Sequence, residues 1–133
     1  MPLKWEEKLS LGFSEIDNQH RFFVDTLREL YEAIYSGSLN NRVGEIFERL
    51  EKYAAFHFET EEKYFKKFNY LGAAEHELEH KKFRERIAAL KEEMKSDVWE
   101  ASTKLVDELE NWLVNHLQTM DAKYITCFKE HGL

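Results

Sequence analysis

Residues that break helices are scarce in this sequence. Its 133 residues include one proline, Pro2, and five glycines, so long stretches run without a residue that stops a helix. The single cysteine, Cys127, cannot form an internal disulfide, which agrees with a reducing compartment. These scarcities make helix the default expectation, and we predict an all-α fold.

Long apolar runs and an excess of positive charge are also missing. No apolar segment approaches the ~20 residues that a membrane-spanning helix needs, and the formal net charge of −7 argues against nucleic acid and anionic membranes as partners. Charged residues, Lys4 and Glu6 among them, stand at the start, so we expect no secretion signal and a cytoplasmic location. We further expect a monomer with one domain over residues 1–133.

Apolar residues recur at helical spacing in four segments. In the second segment, for example, Ile46, Leu50 and Tyr53 would form one stripe of a helix. The predicted helices are at about 17–36, 41–68, 73–95 and 98–128. Helices of this length joined by short loops favour antiparallel neighbours, so we predict an up-down-up-down four-helix bundle. Residues 1–16 would form an N-terminal arm that packs across the bundle through Trp5, Leu9, Leu11 and Phe13.

The breaks between these segments carry typical signals of helix ends. Gly37 and Gly72 suit positions where a helix stops, because glycine adopts the left-handed conformation without strain. Asn40 or Asn41, and Asp97, are predicted as N-caps because their side chains can accept bonds from the free N–H groups of a first turn.

Seven residues with metal-binding side chains fall at separations that would build one pocket inside such a bundle: His20, His57, Glu61, His76, His80, His116 and Asp121. They include five of the six histidines of the chain. A single histidine on an apolar stripe is more often a hydrogen-bonded core residue than a ligand. Seven correlated positions favour a metal site, because the two carboxylates buried without a cation would each cost several kcal/mol.

Helix geometry places most of these donors together. His57 with Glu61, and His76 with His80, are four residues apart and therefore share a face. His116 and Asp121 are five apart, which puts them about 140° apart on a regular helix. Two arrangements remain open: the side chains straddle the metal, or the helix widens locally into a single wide turn of the kind found at functional sites.

The donor set indicates two metals with one vacant position. A closed tetrahedral site takes four ligands, so seven are too many for one zinc ion. If both metals are six-coordinate, five imidazoles, two bridging carboxylates and a shared oxide or hydroxide leave one position vacant. A three-plus-two division of the histidines places that vacancy on one metal, where a small ligand can bind.

Several stretches resemble the hemerythrins, in particular their single-domain bacterial members, over nearly the whole chain. The matching stretches are Trp5, 11–13 (LGF), 16–20 (IDNQH), 57–62 (HFETEE), 76–80 (HELEH) and 112–124 (WLVNHLQTMDAKY). The resemblance implies a non-haem di-iron site (Fe2+/Fe3+) with a bridging oxide or hydroxide and dioxygen as its reversible ligand. It also implies three roles for the seven donors: His76, His80 and His116 on a saturated iron, His20 and His57 on the iron with the vacancy, and Glu61 and Asp121 as bridges.

The expected function is that of an oxygen carrier, store or local supplier, with an oxygen-consuming enzyme as a candidate partner. We expect no enzymatic activity of its own. Two alternatives stay open: oxygen or redox sensing through a partner, and reduction of peroxide or nitric oxide at the open iron. No nucleic-acid partner and no membrane insertion are expected.

Three further residues are candidates for roles around the metals. Leu113 lies one helical turn before His116 and is expected to form an apolar oxygen pocket that keeps water from the bound gas. Tyr124 is expected to orient a ligand through its hydroxyl, with ordinary half-buried packing as the alternative. Glu62 is expected to be a solvated carboxylate or an outer contact of the site.

Overall fold

The described part of the chain, residues 11–133 in a computed structural model, is helical almost throughout. Within it the side chains at positions 113, 114, 117 and 118 are not described. The elements are α1 (Ser14–Ser36), α2 (Leu39–Lys67), α3 (Ala73–Glu93), α4 (Val98–Asn111), a π-helix (Trp112–Met120), a 3₁₀-helix (Asp121–Tyr124) and α5 (Ile125–Glu130). No strand occurs in residues 11–133, and the prediction of an all-α fold is confirmed. No helix in this range is both long and apolar enough to cross a membrane.

The last four elements form one continuous rod, which we call the fourth rod (residues 98–130). Backbone angles at the junctions stay right-handed helical, with φ −60 and ψ −48 at Trp112 and φ −67 and ψ −36 at Asp121. The N–H of Asp121 donates to the carbonyl of His116, five residues earlier, which is the bond that defines a π-helix. The chain therefore passes from α-helix through a wider turn without breaking.

The helices pack as an antiparallel bundle. Helix α1 contacts α2 and α4, α2 also contacts α3, and α3 contacts α4, while the connections at 37–38, 68–72 and 94–97 are short. Short connections between neighbouring helices produce the up-down-up-down order that the sequence predicted. Fully buried side chains fill the centre, among them Leu27, Leu30, Phe47, Leu50 and Leu109, and each contributes roughly 1.5–3 kcal/mol by leaving water.

Two of the predicted helix ends are correct. Gly37 follows α1 in the left-handed conformation, with φ 75 and its N–H donating to the carbonyl of Ala33. Asp97 precedes α4, and its side chain accepts a hydrogen bond of 3.0 Å from the N–H of Glu100. Both residues therefore satisfy backbone groups that a helix end leaves unpaired.

The other two predicted signals of helix ends, the asparagines and Gly72, are wrong. Helix α2 begins at Leu39 with Ser38 at the N-cap position, so Asn40 and Asn41 lie inside the helix. The N–H of Ser38 donates to the carbonyl of Ala33 at 3.1 Å, which turns the chain so tightly that α2 starts at once. Gly72 precedes α3 and does not end α2.

Asparagine takes the left-handed position that Gly72 was expected to supply. Helix α2 ends at Lys67, and Asn69 follows with φ 53. Asparagine visits this region more readily than most residues. The N–H of Tyr70 then donates to the carbonyl of Phe65 at 2.9 Å, which closes the turn.

The arm that precedes α1 is tied down by Asp17. Its Oδ1 accepts from the N–H of Leu11 at 2.8 Å and its Oδ2 from the N–H of Gly12 at 3.3 Å. Leu11 and Phe13 are buried, and the Phe13 ring lies 5.7 Å from that of Phe128. The predicted packing of the arm thus holds for these two residues, whereas Trp5 and Leu9 lie outside the described residues.

Replacement of Asp17 by alanine tests the anchoring of the arm. We expect Asp17→Ala to lower the free energy of unfolding by about 1–3 kcal/mol, because two backbone N–H groups lose a charged acceptor. Urea unfolding of the metal-free protein, followed by far-UV circular dichroism, measures the change. Asp25→Ala, at an exposed position of the same helix, is the control, and an equal loss in both variants would contradict the assignment.

Candidate metal centre

The seven residues predicted as metal ligands meet in one buried cluster between the four helices. Helix α1 supplies one, α2 and α3 two each, and the fourth rod two: His20, His57, Glu61, His76, His80, His116 and Asp121. None of their side chains is more than 5% exposed. The sixth histidine, His131, is exposed near the C-terminus and stacks on the Phe68 ring, with centroids 4.9 Å apart.

The donor atoms form two overlapping groups. In each group one donor atom per residue lies within 4.8 Å of the others. The five-residue group is Glu61, His76, His80, His116 and Asp121, and the four-residue group is His20, His57, Glu61 and Asp121. Because the two carboxylates belong to both groups, the arrangement suits two neighbouring cations with shared carboxylate ligands.

Asp121 faces both groups with different oxygens. Its Oδ1 lies 2.7 Å from Nε2 of His76 and 3.0 Å from Nε2 of His116. Its Oδ2 lies 3.1 Å from Nε2 of His20. The carboxylate thus spans the boundary between the two groups, as a bridging ligand would.

Glu61 uses one oxygen for the cluster and the other for a hydrogen bond. Oε1 lies 3.0 Å from Nε2 of His80 and 3.3 Å from Nε2 of His57. Oε2 accepts a hydrogen bond of 2.6 Å from the hydroxyl of Tyr124. Tyr124 is completely buried, so it packs in the core while its hydroxyl contacts Glu61.

The inward-facing atoms lack the hydrogen bonds that burial demands. Those without a partner include Nε2 of His76, His80 and His116, Oε1 of Glu61 and both oxygens of Asp121. Such atoms cost several kcal/mol when buried unless a cation binds them. Donors on one metal, with bonds of about 2.1 Å at right angles, stand about 3 Å apart, which matches the contacts above. The residues present therefore fit metal ions.

The π-helix decides how His116 and Asp121 reach the same side. It spans Trp112–Met120 and ends where the N–H of Asp121 bonds to the carbonyl of His116. The widened turn brings Nε2 of His116 to 3.0 Å from Oδ1 of Asp121. Of the two arrangements left open by the sequence, the local widening of the helix is the one observed.

Burial keeps two of the imidazoles neutral. It lowers the pKa of His57 to about 3, and it likewise lowers the pKa of His80 to about 3 although Glu62 opposes the shift. A neutral imidazole has a lone pair on the nitrogen that does not carry the proton. Both side chains are therefore in the protonation state that metal binding requires.

The pKa values of the two buried carboxyl groups shift in opposite directions. Burial, reinforced by the charge of Asp121, raises the pKa of Glu61. Burial would raise the pKa of Asp121 as well, but His116, His20 and His76 together hold it well below its usual value. Burial also raises the pKa of Tyr124 well above 10, so its hydroxyl stays protonated and donates to Glu61.

Outer contacts hold two of the imidazoles from behind. Nδ1 of His57 lies 2.6 Å from Oε1 of Gln19, and Nε2 of Gln19 donates to the hydroxyl of Thr60 at 3.2 Å. Nδ1 of His80 lies 2.9 Å from Oε2 of Glu62. Sequence reasoning named Glu62 as a candidate but missed Gln19 and Thr60. The one available signal was that each stands next to a predicted ligand in the chain.

Aromatic rings support two further faces of the cluster. The Phe58 ring stacks on His80 with centroids 3.9 Å apart, and Trp112 stacks on His116 at 3.6 Å. These contacts restrict rotation of the imidazoles. Leu113 follows Trp112 in the π-helix, but its side chain lies outside the described part of the structure, so its expected place in an oxygen pocket stays a prediction.

Comparisons with known proteins agree with this site. Residues 11–128 match the family model "Hemerythrin HHE cation binding domain". The chain is 30% identical to a bacteriohemerythrin of Stenotrophomonas maltophilia over 97% of this chain and 83% of the relative. It is 27% identical to a bacteriohemerythrin of Clostridium acetobutylicum, over 91% and 97%, and 27% identical to a hemerythrin-like protein of Naegleria gruberi, over 92% and 91%. The chain belongs to the hemerythrin family.

Proposed function

We propose that this protein binds dioxygen reversibly at two iron ions and serves as an oxygen carrier, store or local supplier. The observation that supports this most is the pair of overlapping donor groups that share Glu61 and Asp121. Imidazole and carboxylate donors suit iron, and two of the relatives named above are called bacteriohemerythrins. When bound, two ferrous ions can lend electrons to dioxygen and recover them on its release.

The division of the imidazoles would create the place for the gas. In this proposal His76, His80 and His116 serve one iron, and His20 and His57 serve the other. Glu61 and Asp121 bridge the two, together with an oxide or hydroxide. Because five imidazoles cannot be shared equally, one iron would have one protein ligand fewer than the other and would be open to dioxygen.

The surrounding residues would exclude water from the site and hold its ligands in position. The hydroxyl of Tyr124 holds one oxygen of Glu61, and the rings of Phe58 and Trp112 cover His80 and His116. We propose that Leu113 lines the oxygen pocket and keeps water and protons from the bound gas. We also propose that the protein is cytoplasmic and delivers oxygen to an oxygen-consuming enzyme.

Metal content tests the ligand assignment. We expect the purified protein to carry two iron ions per chain and His116→Gln to lose at least one of them, because the five-residue group loses a nitrogen donor. Elemental analysis against protein concentration measures the ratio. His131→Gln, which changes a histidine outside the cluster, should keep both ions. A parent protein with one ion or none would contradict the proposal.

Oxygen binding itself can be followed by absorption. We expect a visible band to appear when the anaerobically reduced iron protein meets air, and to disappear when oxygen is removed, since release returns the irons to their reduced state. The protein loaded with Zn2+ should show no band, because zinc has no redox chemistry. Irreversible oxidation on first contact would contradict reversible binding, and sustained turnover with peroxide or nitric oxide would favour the enzyme alternative.

The proposed pocket residue has its own test. We expect Leu113→Ala to accelerate autoxidation of the oxygen-bound protein severalfold, because a smaller side chain admits water and protons. Decay of the visible band in air measures the rate. Leu78→Ala, at an exposed position of α3, is the control. An unchanged rate in Leu113→Ala would remove the role assigned to this residue.

A further inference from the structure

Gln19 lies between a predicted metal ligand and a threonine of the neighbouring helix. Its Oε1 is 2.6 Å from Nδ1 of His57, and its Nε2 is 3.2 Å from Oγ1 of Thr60. The side chains of Gln19 and Thr60 are nearly inaccessible, with 4% and 8% exposure. The three residues therefore form a buried chain of hydrogen bonds. It runs from Thr60 on α2 through Gln19 on α1 to His57, which is also on α2 and belongs to the cluster.

The bond that Thr60 makes to the backbone fixes which atom donates in each of the other hydrogen bonds of this chain. The hydroxyl of Thr60 donates to the carbonyl of Phe56 at 3.1 Å, so its oxygen is left to accept the N–H of Gln19. The carbonyl oxygen of Gln19 then faces His57, and Nδ1 of His57 must donate to it. The other ring nitrogen, Nε2, keeps its lone pair and points at the cluster, 3.3 Å from Oε1 of Glu61.

The corresponding contact in the other donor group is of a different kind. Nδ1 of His80 lies 2.9 Å from a carboxylate oxygen of Glu62, whereas the partner of His57 is a neutral amide. A bond to a carboxylate is stronger and makes the imidazole a better donor toward a metal. The Nδ1 atoms of His20, His76 and His116 have no hydrogen-bond partner among the described residues. Each group thus has one imidazole held from behind, and the two partners differ in charge.

We propose that Gln19, oriented by Thr60, is the positioning residue for His57, and that its neutral contact makes the four-residue group the weaker metal site. Metal then loads in two steps, first in the five-residue group that Glu62 supports and second in the group that holds His57. The inference rests on the proposed function to the extent that both groups bind metal. The tautomer of His57 does not depend on it.

Nuclear magnetic resonance tests the positioning role without any metal. Long-range ¹H–¹⁵N spectra of the metal-free protein should place the proton of His57 on Nδ1. Thr60→Val removes the hydroxyl that orients Gln19 and should yield a mixture of tautomers, while Thr60→Ser should restore the parent spectrum. Thr26→Val is the matched control, because the hydroxyl of Thr26 makes the same bond to the carbonyl four residues earlier, that of Phe22 at 2.8 Å.

Anaerobic titration with Fe2+ alone, in competition with a coloured chelator, tests the order of loading. We expect Gln19→Leu to weaken the second binding step about 10–100-fold, the usual effect of removing an outer partner, and to leave the first step unchanged. Gln19→Glu should strengthen the second step and reduce the difference in iron affinity between the two steps. Glu62→Gln should weaken the first step instead.

Specific results would overturn the inference. A proton on Nε2 of His57 in the parent protein, or the same spectrum in Thr60→Val as in the parent, would end the positioning role. Equal weakening of both steps by Gln19→Leu would reduce Gln19 to a structural residue. Failure of the parent protein to bind two iron ions would refute the proposed function and the order of loading, whereas the spectra would still decide the role of Gln19 and Thr60.

Discussion

Two carboxylates buried among imidazoles set the main constraint on this structure. Glu61 and Asp121 are almost completely removed from water, where a negative charge without a partner costs several kcal/mol. The neutral imidazoles of His57 and His80 carry no charge to compensate it. A hydrogen-bond partner is also lacking for Nε2 of His76, His80 and His116. Cations bound by both carboxylates and imidazoles would neutralise the negative charge and also give the imidazole nitrogens a partner. Metal binding is therefore expected to add to the stability that the apolar core already gives the fold.

The same constraint explains the unusual backbone of the fourth rod. His116 and Asp121 must face the cluster together, yet residues five apart diverge by about 140° on a regular helix. The π-helix reduces that divergence and leaves the hydrogen-bonded rod continuous. Such turns are rare and are found mostly at functional sites. Here the wide turn is the local change that lets one helix supply two ligands.

Convergence of the predicted ligands could be foreseen because it depends on spacing within helices. His57 and Glu61 share a face in any regular helix. The contact of Gln19 with Thr60 joins residues 41 positions apart, so it depends on how α1 is rotated against α2, which spacing within either helix does not determine. The start of α2 was misplaced for a similar reason, since it depends on the tight turn after Gly37 and not on the capping preference of asparagine.

The different exposure of Gln19 and Glu62 accounts for the different partners of His57 and His80. Glu62 keeps 28% of its side chain exposed, so water can solvate its charge while one oxygen contacts His80. Gln19 is buried, and the hydroxyl of Thr60 is already committed to a backbone carbonyl. Without metal on His57, a carboxylate at that position would have one hydrogen-bond donor and little water, and its charge would be costly. An amide suits the position because it accepts from His57 and donates to Thr60 without a charge. Packing between α1 and α2 therefore selects the neutral partner, and any difference in affinity between the two metal positions would originate there.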